Sequence, residues 1–239
     1  MTGVSIEEIA RRRGRILESI AASAAKAGRR PEDVALMAVT KGHDAETVRA
    51  AARSGLTLFG ENRVQEGASK IAYLSGEFPG LEWRLIGPLQ TNKARTALQW
   101  FAAVESLDRE RLARRLEALL AEGPEERVLP VLLEVNLGGE SSKSGASPEE
   151  APALFEAVLE CPHLSVRGVM AVPPYDEDPE KSRPFFRRLV EIRDGLASRF
   201  LRRLPEISMG MSHDYAVAVE EGSTEVRIGT ALFGPREAA

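Results

Sequence analysis

The chain has a single cysteine, Cys161, among its 239 residues, and it has no long hydrophobic run. One cysteine excludes an internal disulfide and is typical of a protein from a reducing compartment. No apolar segment approaches the roughly 20 residues that a membrane-spanning helix needs. The N-terminus alternates arginine and acid without the apolar core of a signal peptide. We therefore expect a soluble, cytoplasmic protein with no membrane partner.

An excess of positive charge is also missing. The chain has 32 Lys and Arg against 36 Asp and Glu, for a net charge of −4, and the two signs are interspersed. Because nothing forms a basic face for a phosphate backbone, nucleic acid is not an expected partner. The 3 histidines have no partner at i, i+4 and no cluster of cysteines or carboxylates around them, so no metal site is predicted.

Eight short apolar segments recur along the chain, each followed by sequence compatible with a helix. Strands that alternate with helices predict a parallel sheet, and eight of them in 239 residues predict a closed (β/α)8 TIM-type barrel. A doubly wound open sheet is the alternative, although the first strand-to-helix turn, 40–43, has no G-x-G-x-x-G. The predicted strands cover 34–41, 56–59, 83–86, 101–105, 131–136, 166–171, 207–212 and 224–230.

An extra helix is predicted before the barrel. Ser5 and Glu8 have the spacing of a capping box, in which the serine caps the helix and the glutamate reaches back to the serine N–H. Gly28, followed by Pro31, ends this helix. We expect one domain over 1–239, with the helix at about 5–27, the barrel at about 34–234, and no second β domain.

The first predicted strand ends abruptly on a lysine, Lys41. In a parallel barrel, the carboxyl ends of the strands form the functional face, because the loops that follow them hold the ligand. Lys41 is therefore a candidate binding residue. The alternative interpretation is a solvated lysine in an ordinary loop between a strand and a helix.

Small and hydroxyl-bearing residues follow the last two predicted strands. Ser212 ends the seventh strand, and Gly229 with Thr230 ends the eighth. Barrels commonly bind phosphate with the loops after strands 7 and 8, so these residues predict an anion site of hydroxyls and backbone N–H groups. Turn formation and helix capping are the alternative explanation.

Arg227 lies inside the eighth predicted strand, between Val226 and Ile228. Because side chains alternate along a strand, Arg227 should point away from the face on which its two neighbours pack, into the barrel mouth. An unpaired guanidinium there is costly, so we expect it to contact a ligand or an acid.

A lysine from the first strand, an arginine from the eighth and a phosphate site between strands 7 and 8 match the needs of pyridoxal 5′-phosphate. The aldehyde of this cofactor condenses with a lysine amine, its phosphate needs fixed donors, and its pyridine nitrogen takes an Asp or Arg partner.

Seven segments, in order, also carry a resemblance to a known family. They resemble the pyridoxal phosphate homeostasis proteins, also called the YggS-like or proline synthase co-transcribed family, and the last two are the most specific. The segments are 38–41, 59–62, 86–93, 135–136, 142–145, 208–212 and 226–234.

The resemblance implies a role for each matching residue. It implies that Lys41 is the Schiff-base lysine, that Arg227 is the partner of the pyridine nitrogen, and that Asn62 lies near the cofactor ring. It further implies phosphate contacts from three residues: Ser212, Gly229 and Thr230. The family is similar to the barrel domain of alanine racemase and of fold-type III decarboxylases, but it lacks their second, β-rich domain. Only nine residues follow Thr230 here.

That missing domain bears on catalysis. In the racemases, as the resemblance implies, a tyrosine from the second domain supplies one of the two proton-transfer groups. The tyrosines here are Tyr73, Tyr175 and Tyr215, which we interpret as surface-helix or loop residues and not as a second base. An arginine at the pyridine nitrogen also leaves the ring unprotonated, which makes the cofactor a poor electron sink.

Three functions from different classes follow. The first is a non-catalytic pyridoxal phosphate-binding protein that acts in intracellular vitamin B6 homeostasis as a monomer or weak dimer. It would hold the cofactor as a Schiff base and either buffer it or deliver it, with apo-enzymes as candidate recipients. The second is a fold-type III enzyme such as an amino-acid racemase. The third is a barrel that binds another phosphorylated metabolite, which would leave Lys41 unexplained. We favour the first.

The sequence does not decide the role of one loop lysine, Lys143. The segment 138–145 superficially resembles a P-loop, but Ser142 stands where the glycine before the lysine is required, so no nucleotide site is predicted. Lys143 is either a second amine or anion contact at the barrel mouth or a solvated loop residue.

Overall fold

Eight parallel strands close into a barrel in a computed structural model that describes residues 4–123, 126–139 and 144–235. Each strand pairs with the next in the chain, and the last pairs with the first. The predicted barrel is confirmed, and the open sheet is wrong. The strands are β1 Ala35–Val39, β2 Leu58–Glu61, β3 Glu82–Leu85, β4 Ala103–Leu107, β5 Leu129–Glu134, β6 Leu164–Met170, β7 Glu206–Met211 and β8 Glu225–Ile228.

Helices cover the outside of the barrel and pack on its apolar residues. They are α1 Ile6–Lys26, α2 Ala45–Arg53, α3 Val64–Leu74, α4 Ala94–Trp100, α5 Glu110–Ala121, α6 Ala151–Leu159, α7 Arg183–Phe200, α8 Tyr215–Glu220 and α9 Thr230–Phe233. Within the described part of the chain, no helix is long and apolar enough to cross a membrane.

The helix predicted before the barrel is α1. Its N-cap is Ser5, whose side chain accepts a hydrogen bond from the Glu8 backbone N–H at 3.2 Å. The reciprocal half of the capping box is wrong, because the Glu8 carboxylate pairs with Arg11 and Arg12 instead. The helix buries an apolar stripe, and it packs on α2, α8 and α9. It therefore covers the seam where the first and last strands of the barrel meet.

The observed strand ends differ from the predicted ones by at most two residues. The difference matters at β1, which ends at Val39, so that Lys41 lies in the turn beyond the strand. Gly42 explains the early end, since its φ of +75° belongs to the left-handed region and reverses the chain there.

Candidate functional site

A cavity of about 530 Å³ opens at the carboxyl ends of the strands. This is the face on which parallel barrels bind their ligands, and the volume suits a small cofactor. All six residues predicted for the site line this cavity: Lys41, Asn62, Ser212, Arg227, Gly229 and Thr230. Their placement together is a result of the fold, whereas their roles toward a ligand stay a prediction.

Lys41 occupies a tight turn at the mouth of the barrel. The carbonyl of Thr40 accepts a hydrogen bond from the His43 N–H at 3.0 Å, which closes a four-residue turn around Lys41 and Gly42. A positive φ at the third residue of such a turn is the pattern of a type II turn and favours glycine. The turn places the half-buried Lys41 side chain on the cavity wall.

Asn62 follows β2 on the neighbouring side of the cavity. Its backbone packs directly against Gly87, where a Cβ would overlap the Asn62 carbonyl. Only glycine allows the loop after β3 to approach so closely. Gly87, in the segment 86–93 that resembles the family, therefore lets this loop pack against the loop that carries Asn62.

Hydroxyls and backbone N–H groups meet where β7 and β8 end. The Ser212 hydroxyl accepts a hydrogen bond from the Ala231 N–H at 3.1 Å, so its own hydrogen can be donated to a ligand. A Cβ on Gly229 would lie 3.3 Å from the Val39 carbonyl oxygen, which leaves little room for a larger residue. Thr230 is exposed on the cavity side at the start of α9.

Arg227 points inward as predicted, with only 4% of its surface exposed. Its guanidinium donates to the Ser208 carbonyl at 2.8 Å, the Ser208 hydroxyl at 2.7 Å and the Ala171 carbonyl at 2.8 Å. Of the two expected contacts, a ligand or an acid, no acid bonds to this group among the described residues; Ser208 on β7 and the Ala171 carbonyl just after β6 hold it, and contact with a ligand stays a prediction. These bonds use three of the five N–H donors, which leaves two without an acceptor among the described residues.

Ser208 connects Arg227 to two acids inside the barrel. Its hydroxyl lies 2.7 Å from Glu105 Oε2 and 2.9 Å from Glu225 Oε1. The single hydrogen of this hydroxyl can be donated to only one of the two carboxyls at a time. Burial, and then the nearby charge of Glu105, raise the pKa of Glu225 well above its ordinary value. The guanidinium of Arg84 forms an ion pair with Glu225 at 3.1 Å and so also belongs to this network.

Glu134 is a cavity residue that the sequence interpretation missed. It ends β5, four strands from β1, so it stands across the barrel from the Lys41 turn. Its side chain is 8% exposed, and its Oε2 is buried without a hydrogen-bond partner among the described residues. Burial, and then the charge of Asp108, raise the pKa of Glu134 to about 7, while Arg227 opposes the shift.

The raised pKa of Glu134 makes stability depend on pH. The folded protein binds the Glu134 proton more tightly than the unfolded chain does. The stabilisation of the folded state by protonated Glu134 is therefore complete below pH 4.5 and is lost as the pH rises through about 7. We expect Glu134→Gln to gain up to about 3 kcal/mol over the wild type in the free energy of unfolding between pH 4.5 and pH 8. Urea unfolding of the ligand-free protein at several pH values measures this.

Glu122→Gln is the control for that experiment, since Glu122 is exposed and its ion pair among the described residues is with Arg95, at 3.3 Å. Its stability should follow the wild type at each pH. A Glu134→Gln profile parallel to that of the wild type would show that Glu134 is already ionised in the folded protein.

The three tyrosines are spread over the molecule. Tyr73 is 53% exposed and donates to Glu46 at 2.7 Å, and it is not one of the residues that line the cavity. Tyr215 begins α8 and packs on the core. Tyr175 is a loop residue with 77% exposure, as expected, but it lies at the cavity rim with its ring 5.5 Å from that of His213. Lys143 lies outside the described residues. Among the described residues, no group of three or more His, Cys, Asp or Glu could hold a metal ion.

Residues 16–237 match the family model described as the N-terminal domain of alanine racemase. The pyridoxal phosphate homeostasis protein of Aquifex aeolicus is 44% identical to this chain over 95% of it and over 97% of its own length. The chain belongs to the pyridoxal phosphate homeostasis protein family. Its predicted family resemblance is thereby confirmed.

Two solved structures place the fold within this family and beyond it. PipY of Synechococcus elongatus, solved with PLP bound, has 36% identity and a TM-score of 0.79, and the match covers 90% of this chain and all of PipY. Alanine racemase from Corynebacterium glutamicum has 18% identity and a TM-score of 0.68, over 99% of this chain and 63% of the racemase. The second likeness shows that the barrel is shared.

Proposed function

We propose that this protein binds pyridoxal 5′-phosphate and takes part in its intracellular homeostasis, by holding the cofactor through Lys41 and buffering or delivering it. The observation that carries the proposal is a single cavity lined by the Lys41 amine, the Arg227 guanidinium and the hydroxyls of Ser212 and Thr230. The names of its relatives, and the PLP bound in PipY, support it.

The cavity fits this cofactor in several respects. When bound, pyridoxal phosphate supplies an aldehyde that condenses with an amine and a pyridine ring that can draw electrons from the attached carbon. The Glu134 Oε2 is a buried polar atom without a hydrogen-bond partner among the described residues, and Arg227 has two N–H donors that its three bonds do not use. Since such groups are costly unless a ligand satisfies them, the wall is suited to a polar ligand.

Each predicted residue has a task in this proposal. Lys41 would hold the aldehyde covalently through its amine, and Asn62 would lie beside the ring. Ser212 and Thr230 would donate their hydroxyl hydrogens to the phosphate, together with backbone N–H groups at Gly229. The Arg227 guanidinium would face the pyridine nitrogen.

The same arginine supports a role without turnover. A guanidinium gives up no proton at physiological pH, so Arg227 cannot keep the pyridine nitrogen protonated. Its bonds to Ser208 and Ala171 fix it in that place. We therefore propose that the protein is not an enzyme. An amino-acid racemase is the alternative, and Tyr175 at the cavity rim is the residue on which it would depend.

Partners and surroundings are part of the proposal. We propose that apo-enzymes that depend on pyridoxal phosphate receive the cofactor, and that the protein works in the cytoplasm as a monomer or weak dimer. An absorbance spectrum of the purified protein, followed by turnover assays with a panel of amino acids, tests binding and catalysis in sequence. A colourless protein that takes up no added pyridoxal phosphate would contradict the proposal.

The phosphate site provides a quantitative prediction. Ser212→Ala with Thr230→Ala should weaken pyridoxal phosphate binding by about 1 to 3 kcal/mol, because two hydrogen bonds to a charged group are lost. Pyridoxal, which lacks the phosphate, should lose far less affinity. Titration of both aldehydes measures the difference, with Ser69→Ala as a control because that hydroxyl lies on α3 and bonds to the Gln65 carbonyl. Equal losses for both aldehydes would exclude the phosphate assignment.

A further inference from the structure

A buried lysine lies directly behind the Lys41 turn. The side chain of Lys70, on α3, is 7% exposed and uses all three of its N–H donors. It donates to the Thr40 carbonyl at 2.7 Å, to Glu61 Oε1 at 2.6 Å and to Glu66 Oε1 at 2.7 Å. This ammonium therefore joins the end of β1, the end of β2 and α3 at one point.

The two acids of this cluster hold the turn on both sides of Lys41. The Thr40 hydroxyl donates to Glu61 Oε1 at 2.5 Å, and the Gly42 N–H donates to Glu66 Oε1 at 2.6 Å. The residue before Lys41 and the residue after it are thus both bonded to the cluster. Glu61 also immediately precedes Asn62, so the cluster ties together two loops that line the cavity.

Burying the charged groups of this cluster costs desolvation free energy, so their location calls for an explanation. Glu61 is fully buried, and its Oε2 has no partner among the described residues. Replacing a buried ion pair with apolar residues of similar volume is often neutral or stabilising, so stability alone does not explain why charges stand here. Directional bonds to the backbone of a turn, however, can only be made by polar groups.

We propose that Lys70, Glu61 and Glu66 are positioning residues that fix the turn 40–43 and thereby aim the Lys41 amine into the cavity. The inference rests on the proposed function, since it concerns how Lys41 meets an aldehyde. The cluster acts through the backbone of the turn and does not itself contact the ligand. Its loss should therefore impair the covalent linkage more than the binding of the phosphate.

Two ligands separate these effects. Pyridoxal 5′-phosphate can form a borohydride-reducible linkage with Lys41, whereas pyridoxine 5′-phosphate has the same ring and phosphate but no aldehyde. For Glu66→Ala we expect the rate of formation of the reducible linkage to fall by about tenfold to a hundredfold, the range expected when a reacting group is displaced by about 1 Å. Affinity for pyridoxine 5′-phosphate, measured by calorimetry, should stay within about threefold of the wild type.

Matched variants separate positioning from stability. Glu66→Gln keeps an oxygen for the Gly42 N–H and should restore most of the rate. Glu77→Ala removes a similarly exposed carboxylate that pairs with Arg53 at 2.7 Å on the outside of the barrel, and it should change neither ligand's behaviour. The double variant Glu61→Leu with Lys70→Met should keep its melting temperature near that of the wild type and still form the linkage slowly.

The outcomes are distinguishable. An equal loss for both ligands in Glu66→Ala, in step with a lower melting temperature, would show a merely structural cluster and overturn the inference. So would an unchanged rate of linkage formation. If the wild type binds neither ligand, the proposed function fails first, and the inference fails with it.

Discussion

We expect Lys41→Ala to remove the visible absorbance band and the borohydride-reducible linkage of the cofactor while leaving the fold intact. The linkage should disappear because the nitrogen that would form it is gone. The fold persists because Lys41 is a half-buried turn residue beyond the end of β1, and the turn is held by its neighbours Thr40 and Gly42. An absorbance spectrum, followed by reduction and mass analysis of peptides, measures the first effect, and circular dichroism measures the second.

Lys26→Ala is the control, since Lys26 is an exposed lysine at the C-terminal end of α1 that pairs with Glu220 at the C-terminal end of α8, and neither residue lines the cavity. It should keep both the band and the linkage. A reducible linkage that survives in Lys41→Ala would show that another lysine holds the cofactor, and Lys143 would be the first to examine.

We expect the wild-type protein to turn over no amino acid at an appreciable rate. Arg227 is the reason, because removal of an α-proton requires a ring that can accept electrons, and a guanidinium leaves the pyridine nitrogen unprotonated. The measurement is deuterium uptake at the α-carbon of L- and D-amino acids in heavy water, with a chiral analysis of the products. Uptake with inversion at about 1 per second or faster would contradict the carrier and favour the racemase.

Variants locate the cause of this inactivity. Arg227→Glu supplies a carboxylate that can keep the pyridine nitrogen protonated, so deuterium uptake that appears only in this variant would support the role of Arg227 most directly. The structure predicts that the variant is less stable, since the new acid would stand beside Ser208, which already contacts Glu105 and Glu225. Arg227→Gln removes the guanidinium without adding charge and is the matched comparison.

Tyr175→Phe tests the racemase alternative separately. If the wild type exchanges the α-proton and this variant does not, the exposed tyrosine at the cavity rim is the second proton-transfer group. If neither the wild type nor the variant exchanges the α-proton, the position of Tyr175 beside His213 has no catalytic consequence.

Local sequence patterns were enough to predict the barrel and most of the residues that line its cavity. Apolar segments of strand length alternate with helical ones, and that alternation predicts eight parallel strands whose carboxyl ends share one face. Residues that stand just after their strands, such as Lys41 and Ser212, must then meet at that face. The inward direction of Arg227 followed from the period of two along β8.

The hydrogen-bond partners of the site residues could not be predicted from local patterns, because they come from distant parts of the chain. The Arg227 guanidinium rests on Ala171, 56 positions away, and Ser208 bonds to Glu105, 103 positions away. No local pattern shows that a carbonyl, not an acid, will meet a guanidinium. A charged residue inside an apolar strand, such as Glu105 or Glu134, was the available signal, but it does not say which group the charge will face.

The sequence alone therefore determined the closed barrel, the extra N-terminal helix and five residues at the mouth, since strand period and strand order decide which residues share that face. The sixth, Asn62, came from the family resemblance. Only the tertiary structure decided how those residues are held and charged. The bonds of Lys70 to both sides of the Lys41 turn, and the burial that raises the pKa of Glu134, depend on which elements pack together. Hydrogen-bond direction and desolvation are properties of that packing, and neither is encoded in the order of residues along one strand.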